Sequence, residues 1–271
     1  MTLFQALLLG IIQGLTEFIP VSSTAHLLIG QRLLGIESSD LIFSCLVIIQ
    51  LGTVLSLVVL FWKDLWGIAR AFFKNPFTES ADSPNRLAWY IILATIPAGL
   101  AGYLVRNEVE ALFNEPLLGA AIRLFSAAAL LASAEWLGKR TRPLKSMTWL
   151  DALVVGLFQV LAIFPGASRS GSTISGGMLR GLNRAASARF AFLISIPIML
   201  GAVIYQILDV VHIPGFRDFI PILALGFISA AIIGWLAIRW LLSYLNKNSL
   251  HSFAIYCSFM GCIVLFFHFS G

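Results

Sequence analysis

Two stretches of this chain place clusters of reactive side chains inside otherwise apolar sequence. The first, Gln13-Gly-Leu-Thr-Glu-Phe-Ile-Pro-Val-Ser-Ser-Thr-Ala-His26, combines an amide, a carboxylate, four hydroxyls (Thr16, Ser22, Ser23, Thr24) and an imidazole. The second, Pro165-Gly-Ala-Ser-Arg-Ser-Gly-Ser-Thr-Ile-Ser-Gly-Gly177, sets one guanidinium, Arg169, among Ser168, Ser170, Ser172 and Thr173. Polar and ionisable groups at membrane depth are costly, so they mark function by default. The two stretches are expected to meet in one site.

Glu17 lies four residues beyond Gln13, on the same helical face. Its carboxylate could act as general base or acid, or help the Gln13 carbonyl hold a divalent cation. The competing reading is a carboxylate that hydrogen-bonds the start of the next helix across Pro20. Ser23 and His26 sit three apart at a helix start, close enough to share one substrate atom. His26 could activate a hydroxyl or water, or attack phosphorus itself, while Ser22, Ser23 or Thr24 could simply cap the helix.

Arg169 offers a rigid fork for phosphate oxygens. Ser168, Ser170, Ser172 and Thr173 surround it at a helix N-terminus, where free N–H groups and the helix dipole favour an anion. Gly166 and Gly171 allow close backbone approach. An Arg169–Glu17 pair would be structural, and the same pair could also pre-position the site. Ser175, Gly176 and Gly177 fit tight helix packing better than substrate contact. Of the two amides in apolar helices, Gln50 is a candidate for the polar cavity, and Gln159 reads as a structural hydrogen-bonding group.

The elements that must position these groups follow from composition. The 271 residues are 59% hydrophobic and only 11% charged, with a mean hydropathy of +0.91. Soluble domains carry about 25% charged residues, so the chain is an all-α polytopic membrane protein. Its net charge of +5 is then read loop by loop for orientation, and not as a nucleic-acid footprint. Cys45, Cys257 and Cys262 lie in apolar segments without metal-ligand spacing and read as packing residues. No basic region precedes the first apolar run, so no removable signal peptide is expected.

Residues 2–16 are apolar but too short to span about 30 Å of hydrocarbon. They end at Glu17 and Pro20, and a second short helix is expected to about Leu34. Two short helices around a polar break read as a re-entrant hairpin, which is tolerated where it is buried in protein or lines a wet cavity. Spans are expected over 41–62, 87–105 and 117–137. A second hairpin, 150–163 followed by a helix from about Ser168 to Leu179, precedes spans over 188–208, 219–242 and 252–269.

The positive-inside rule places loops 63–86, 138–149 and 243–251 in the cytoplasm and loops 106–115 and 209–218 outside. Arg180, Arg184 and Arg189 read as surface topology signals. The hairpins then enter from opposite sides, as in an inverted repeat of 1–137 and 150–271 within one membrane domain. Gly10-Ile-Ile-Gln-Gly-Leu15 and Gly156-Leu-Phe-Gln-Val-Leu161 align, and interrupted segments at corresponding places point to a site near the midplane. A strong cation, an anion cradle, a nucleophile/base pair and a carboxylate in lipid suit hydrolysis of a phosphate group on a lipid.

The motif Gln13-x-x-x-Glu17 with Phe-Ile-Pro-Val-Ser-Ser-Thr-Ala-His26, together with Pro165–Gly177 and Ile49-Gln50-Leu51-Gly52, resembles the bacitracin-resistance family of undecaprenyl-diphosphate phosphatases over nearly the whole chain. The resemblance implies conversion of undecaprenyl diphosphate to the monophosphate carrier reused in peptidoglycan synthesis, and bacitracin resistance. It further implies a magnesium or calcium ion and a site in the bacterial cytoplasmic membrane reached from the outer face. It carries the catalytic roles to Glu17, Ser23, His26 and Arg169 and the acidic, metal-binding pair to Gln13 and Glu17, while the helix-start positions of Thr24, Ser168, Arg169, Ser170, Ser172 and Thr173 make these the candidates for phosphate binding. Gln13 stands where many members have Glu, which removes one charge from the metal pair. The expected partners are a polyprenyl diphosphate and the membrane, with a homodimer as a further option.

Two rivals remain at this level. A type-2 phosphatidic-acid phosphatase would need a second His about six residues beyond the Arg, where Ser175 stands. A transporter would share the inverted repeat and the broken helices.

Overall fold

The computed structural model describes residues 1–37, 39–74, 84–104, 116–162, 168–210 and 219–270. Among them are eleven α-helices: α1 Leu3–Thr16, α2 Ser23–Leu33, α3 Asp40–Leu60, α4 Trp62–Lys74, α5 Pro84–Leu104, α6 Pro116–Leu137, α7 Trp149–Leu161, α8 Arg169–Leu179, α9 Arg184–Val210, α10 Ile220–Leu245 and α11 His251–Ser270. Five of them, α5, α6, α9, α10 and α11, are long and apolar enough to cross a membrane. Counting the bent pair α3–α4 as one span brings the number to six, while α1 and α7 are apolar but short. The expected loops at 106–115, most of 209–218 and the Pro165–Gly166 break lie outside the described residues.

The two hairpins match position by position. Thr2 caps α1 through a reciprocal box with Gln5, and Thr148 caps α7 through the same box with Asp151. At one constant offset Gly10 corresponds to Gly156, Gln13 to Gln159, Ser23 to Arg169 and Leu33 to Leu179. Ser23 and Arg169 are therefore equivalent positions, each the first residue of an eleven-residue helix.

Packing is reciprocal as well. Helix α1 of the first half lies along α10 of the second, and α7 of the second lies along α5 of the first. The contact glycines explain the fit. A Cβ on Gly10 would stand 2.4 Å from the Gly226 carbonyl oxygen, and one on Gly156 would stand 2.6 Å from that of Ala94. Such approach of backbones is what small residues permit between membrane helices. Phe18, fully buried beside Glu17, packs edge-on to Phe192 at 5.4 Å and anchors the first hairpin's turn in the core.

Two expectations change here. The polar loop foreseen over 63–86 begins instead as helix α4, bent 74° from α3. Its sequence, Trp-Lys-Asp-Leu-Trp-Gly-Ile-Ala-Arg-Ala-Phe-Phe-Lys, alternates apolar and charged residues at helical spacing, the pattern of a helix lying along a membrane surface.

Arg180, Arg184 and Arg189 are also not free surface charges. Arg180 Nε donates to Asp151 at 2.8 Å, and Arg142 Nη2 donates to the same carboxylate at 2.7 Å. Arg184 grips Glu135 with two bonds of 2.6 and 2.7 Å, Arg140 adds a third, and the Leu250 N–H donates to Glu135 at 2.7 Å. Arg189 pairs with Asp64 at 2.6 Å. Both Asp151 and Glu135 side chains are fully buried, and two arginines converge on each. These contacts gather 138–149, Arg180–Arg184 and 243–251 at one end of the bundle, as the charge bias requires.

Burial pushes the Asp151 carboxyl up, but its bonds to Arg142, Thr148 and Arg180 outweigh this and lower it from 3.8 to about 2. Because the folded value is the lower one, the stabilisation is complete above about pH 4 and fades as pH falls toward 2. Asp151→Ala is expected to cost about 2 kcal/mol, less than a fully buried pair, because its arginines are about one-third exposed. Thermal unfolding in detergent at pH 7 and pH 3 checks this: the gap between wild type and variant should narrow in acid.

Candidate active site

Glu17 is the centre of the polar cluster. It is 5% exposed, just past the end of α1, and four side chains converge on it. One carboxylate oxygen, Oε2, accepts from Gln13 Nε2 and from Ser23 Oγ, each at 2.7 Å. The other, Oε1, accepts from Arg169 Nη2 and, at 3.4 Å, from Gln50 Nε2. The Arg169–Glu17 ion pair thus joins the two hairpins across the chain. Ser170 Oγ reinforces the seam by donating to the Ile19 carbonyl at 3.4 Å. A burial this deep is sustained because Glu17 has a cation and three hydrogen-bond donors.

The local chain path explains how Ser23 reaches Glu17. Pro20 ends the first helix's continuation, and Ser22 turns the backbone with φ 67, a left-handed conformation uncommon outside glycine. Ser22 makes no side-chain cap to α2. On the other hairpin Ser168 does cap, its Oγ accepting from the Gly171 N–H at 3.2 Å. The N-termini of α2 and α8 therefore both meet the cluster, and two sets of free N–H groups favour an anion there.

A cavity of about 1050 Å³ opens from this point, lined by Glu17, Ser22, Ser23, Thr24, Gln50, Ser168, Arg169 and Ser170 at its polar end. Its remaining wall is built from α5 (Thr95, Ala98, Gly99, Gly102, Tyr103, Leu104), α9 (Pro197, Ile198, Met199, Gly201, Ala202) and the end of α7. Arg86 near the start of α5 donates to the Met147 carbonyl at the arginine-rich end, whereas Leu104 at its far end lines the cavity. The cavity thus extends toward the end opposite the arginines. A second, apolar groove of about 410 Å³ shares Thr95, Gly99 and Pro197 with it and continues over Ile91, Ile92, Ile96 and Leu100 on the bundle's outer side.

The structure brings together Glu17, Ser23, Thr24, Gln50, Ser168, Arg169 and Ser170. It separates three others. Ser172 and Thr173 are buried one turn into α8, off the cavity; Thr173 Oγ1 donates to the Arg169 carbonyl at 2.8 Å. His26 points the other way, with Nε2 2.8 Å from Tyr256 Oη and Nδ1 2.9 Å from the Ser22 carbonyl oxygen. Gln159, read from sequence as a structural group, donates weakly to the Ala94 carbonyl at 3.5 Å and lines the cavity. Its Oε1 is buried without a partner, as is that of its counterpart Gln13 and as is Arg169 Nη1. Tyr256 and the α5 and α9 walls were not foreseen; Pro97, Gly99 and Gly102 in one span were the available hint.

The donor set can be tested against a divalent cation. Among the described residues no three His, Cys, Asp or Glu side chains gather. A hard cation of the magnesium type is satisfied by one or two carboxylates with substrate phosphates and water. Glu17 at the cavity, Ser23 beside it and the unpartnered Gln13 Oε1 behind it fit that mode. The fit is to an ion shared with a phosphate-bearing ligand.

Comparison with known proteins identifies the family. The sequence model of the family described as bacitracin resistance protein BacA matches residues 6–263. The chain is 40% identical over 273 residues to an undecaprenyl-diphosphatase of Methanobrevibacter smithii, covering 97% of each chain. It is 40% identical over 270 residues to one of Caldicellulosiruptor bescii, covering 99% of this chain and 98% of that one. A third, from Bacteroides fragilis, is 40% identical over 265 residues and 97% of each. With its paired hairpins meeting at Glu17 and Arg169, the chain belongs to the bacitracin resistance protein BacA family.

Proposed function

We propose that this chain hydrolyses undecaprenyl diphosphate to undecaprenyl phosphate and inorganic phosphate. The observation that carries the reading is one carboxylate, Glu17, bonded to a hydroxyl on one oxygen and to an arginine on the other at the polar end of the cavity. The relatives' names as undecaprenyl-diphosphatases support it.

In this mechanism the terminal phosphate enters between the N-termini of α2 and α8. Arg169 turns its unpartnered Nη1 to the phosphoryl oxygens, and the helix N–H groups share their charge. Ser23 Oγ passes its proton to Glu17 Oε2 as it attacks the terminal phosphorus. The bond to the bridging oxygen breaks, and undecaprenyl phosphate leaves. Glu17 gives its proton up to the departing undecaprenyl phosphate; water then attacks the phosphoserine as the Glu17 carboxylate takes the water's proton and passes it to the departing Ser23 Oγ, and inorganic phosphate is released. Glu17, steadied by Gln13, and Ser23 would hold a magnesium or calcium ion, which supplies further neutralisation of phosphate charge. Ser23 is preferred over His26 as the attacking group because Ser23 lines the cavity and is bonded to a base.

The setting is the cytoplasmic membrane, with the cavity reached from the outer face. There the reaction returns the lipid carrier to peptidoglycan synthesis and removes the diphosphate that bacitracin sequesters. Phosphate release from undecaprenyl diphosphate in detergent, with magnesium or calcium, is the test. If the intact protein releases none, the hydrolase reading fails and transport of an anionic lipid leads.

The apolar groove joined to the cavity at Thr95, Gly99 and Pro197 takes the prenyl chain where it leaves for the bilayer. A Cβ at Gly99 would meet nothing within 4 Å, so a large side chain there fills space without straining the fold. Gly99→Phe is expected to raise KM about tenfold, the equivalent of about 1.4 kcal/mol, with kcat little changed. Steady-state kinetics check this, and an unchanged KM would place the chain elsewhere.

A further inference from the structure

We propose that His26 is a positioning residue held by Tyr256 of α11, and that this pair fixes the turn that aims Ser23 at Glu17. The proposal rests on the reading above insofar as Ser23 is the reacting group.

His26 does not line the cavity, although Ser22, Ser23 and Thr24 do. Its Nδ1 lies 2.9 Å from the Ser22 carbonyl oxygen, which can only accept, so Nδ1 carries the hydrogen. In the neutral ring Nε2 is then an acceptor, and Tyr256 Oη donates to it across 2.8 Å. The two rings lie 9° from parallel with centroids 5.7 Å apart. The His26 backbone N–H also donates to the Ser22 carbonyl, at 3.3 Å. One residue thus holds one carbonyl with two donors.

That carbonyl belongs to the one residue of the hairpin turn with a left-handed backbone, Ser22 at φ 67. This conformation is unfavourable for a non-glycine residue, and no side-chain cap from Ser22 offsets it. The peptide it pins leads directly into Ser23. The neighbouring α11 residue, Cys257, stands with its Sγ 3.8 Å from the Pro20 carbonyl oxygen. Two consecutive residues of α11 therefore hold both ends of the turn, although α11 contributes nothing to the cavity wall. Tyr256 is partly exposed on the side of the bundle, where an unpaired hydroxyl or imidazole nitrogen would be left without water. To act at phosphorus through Nε2, His26 would have to give up its bond to Tyr256.

The test compares Tyr256→Phe, His26→Gln, His26→Ala and the double variant His26→Ala/Tyr256→Phe in phosphate release. Tyr256→Phe, which keeps the ring, should lower kcat about tenfold and change KM by less than about twofold. His26→Gln, whose amide can still donate to the Ser22 carbonyl, should retain at least about tenfold more activity than His26→Ala. The double variant should be no worse than His26→Ala alone, as for two members of one unit. If His26→Gln is as inactive as His26→Ala, or loses a limb of the pH–rate profile that the wild type shows, the proposal is overturned.

A second measurement does not depend on turnover. Nitrogen-15 spectra of the His26 imidazole should show the Nδ1–H form, with Nε2 shifting in Tyr256→Phe. An Nε2–H or doubly protonated ring sinks the brace. If the wild type releases no phosphate yet the Nδ1–H form and its dependence on Tyr256 are found, the hydrolase reading falls and the brace stands.

Discussion

Arg169→Ala is expected to lower kcat for phosphate release about 10²–10³-fold, the loss seen when one preorganised donor to a developing charge is removed. Arg169 is the cation of the Glu17 cluster, and its second guanidinium nitrogen is buried without a partner, free for a phosphoryl oxygen. Arg169→Lys should recover little, because an ammonium cannot hold Glu17 and a phosphate as a planar fork does. Two readouts separate chemistry from folding. Single-turnover phosphate release reports the step itself, and thermal unfolding shows what the stranded Glu17 carboxylate costs. Arg169→Ala with near wild-type kcat would mean that the second hairpin only packs against the first.

Glu17→Gln should have an effect of similar or larger size, about 10²–10⁴ in kcat, the usual contribution of a positioned acid–base group. The amide preserves size and can still accept from Ser23, yet it is no base. The Arg169 charge would also remain buried without its counterion. Combining Glu17→Gln with Arg169→Ala should therefore cost far less than the product of the two single losses, since each already disables the unit. If the two effects multiply, the residues act at separate points.

The sequence made much of this legible for physical reasons. Short apolar runs interrupted in sequence by Pro20 and by Pro165-Gly166 cannot span a bilayer, so two re-entrant hairpins could be expected from length. Glu17 and Arg169 stood out because charge in lipid demands a partner, and each proved to be the other's. What stayed hidden depends on distant geometry. The clasp of Arg180 and Arg184 needs Asp151 and Glu135 from other helix ends, and a loop rich in arginine looks the same whether or not its charges are paired. Helix α4 was masked by its charges, which occupy one face only. The orientation of His26 was unreadable because its partner, Tyr256, is one tyrosine in an apolar helix 230 residues away. Spacing put His26 near Ser23 and could not tell which way the ring turns.

The exchange of partners between the hairpins also bears on how the protein is made. Ribosomes deliver the first half before the second, so Glu17, Ser23 and the turn between them enter the membrane ahead of Arg169 and of α10, the helix along which α1 lies. Until translation passes the second hairpin, the nascent chain carries a carboxylate in oil with no counterion and a serine with no phosphate cradle. The finished site assembles only when the last third of the polypeptide docks, so a chain truncated by stalling is inert and exposed to quality control.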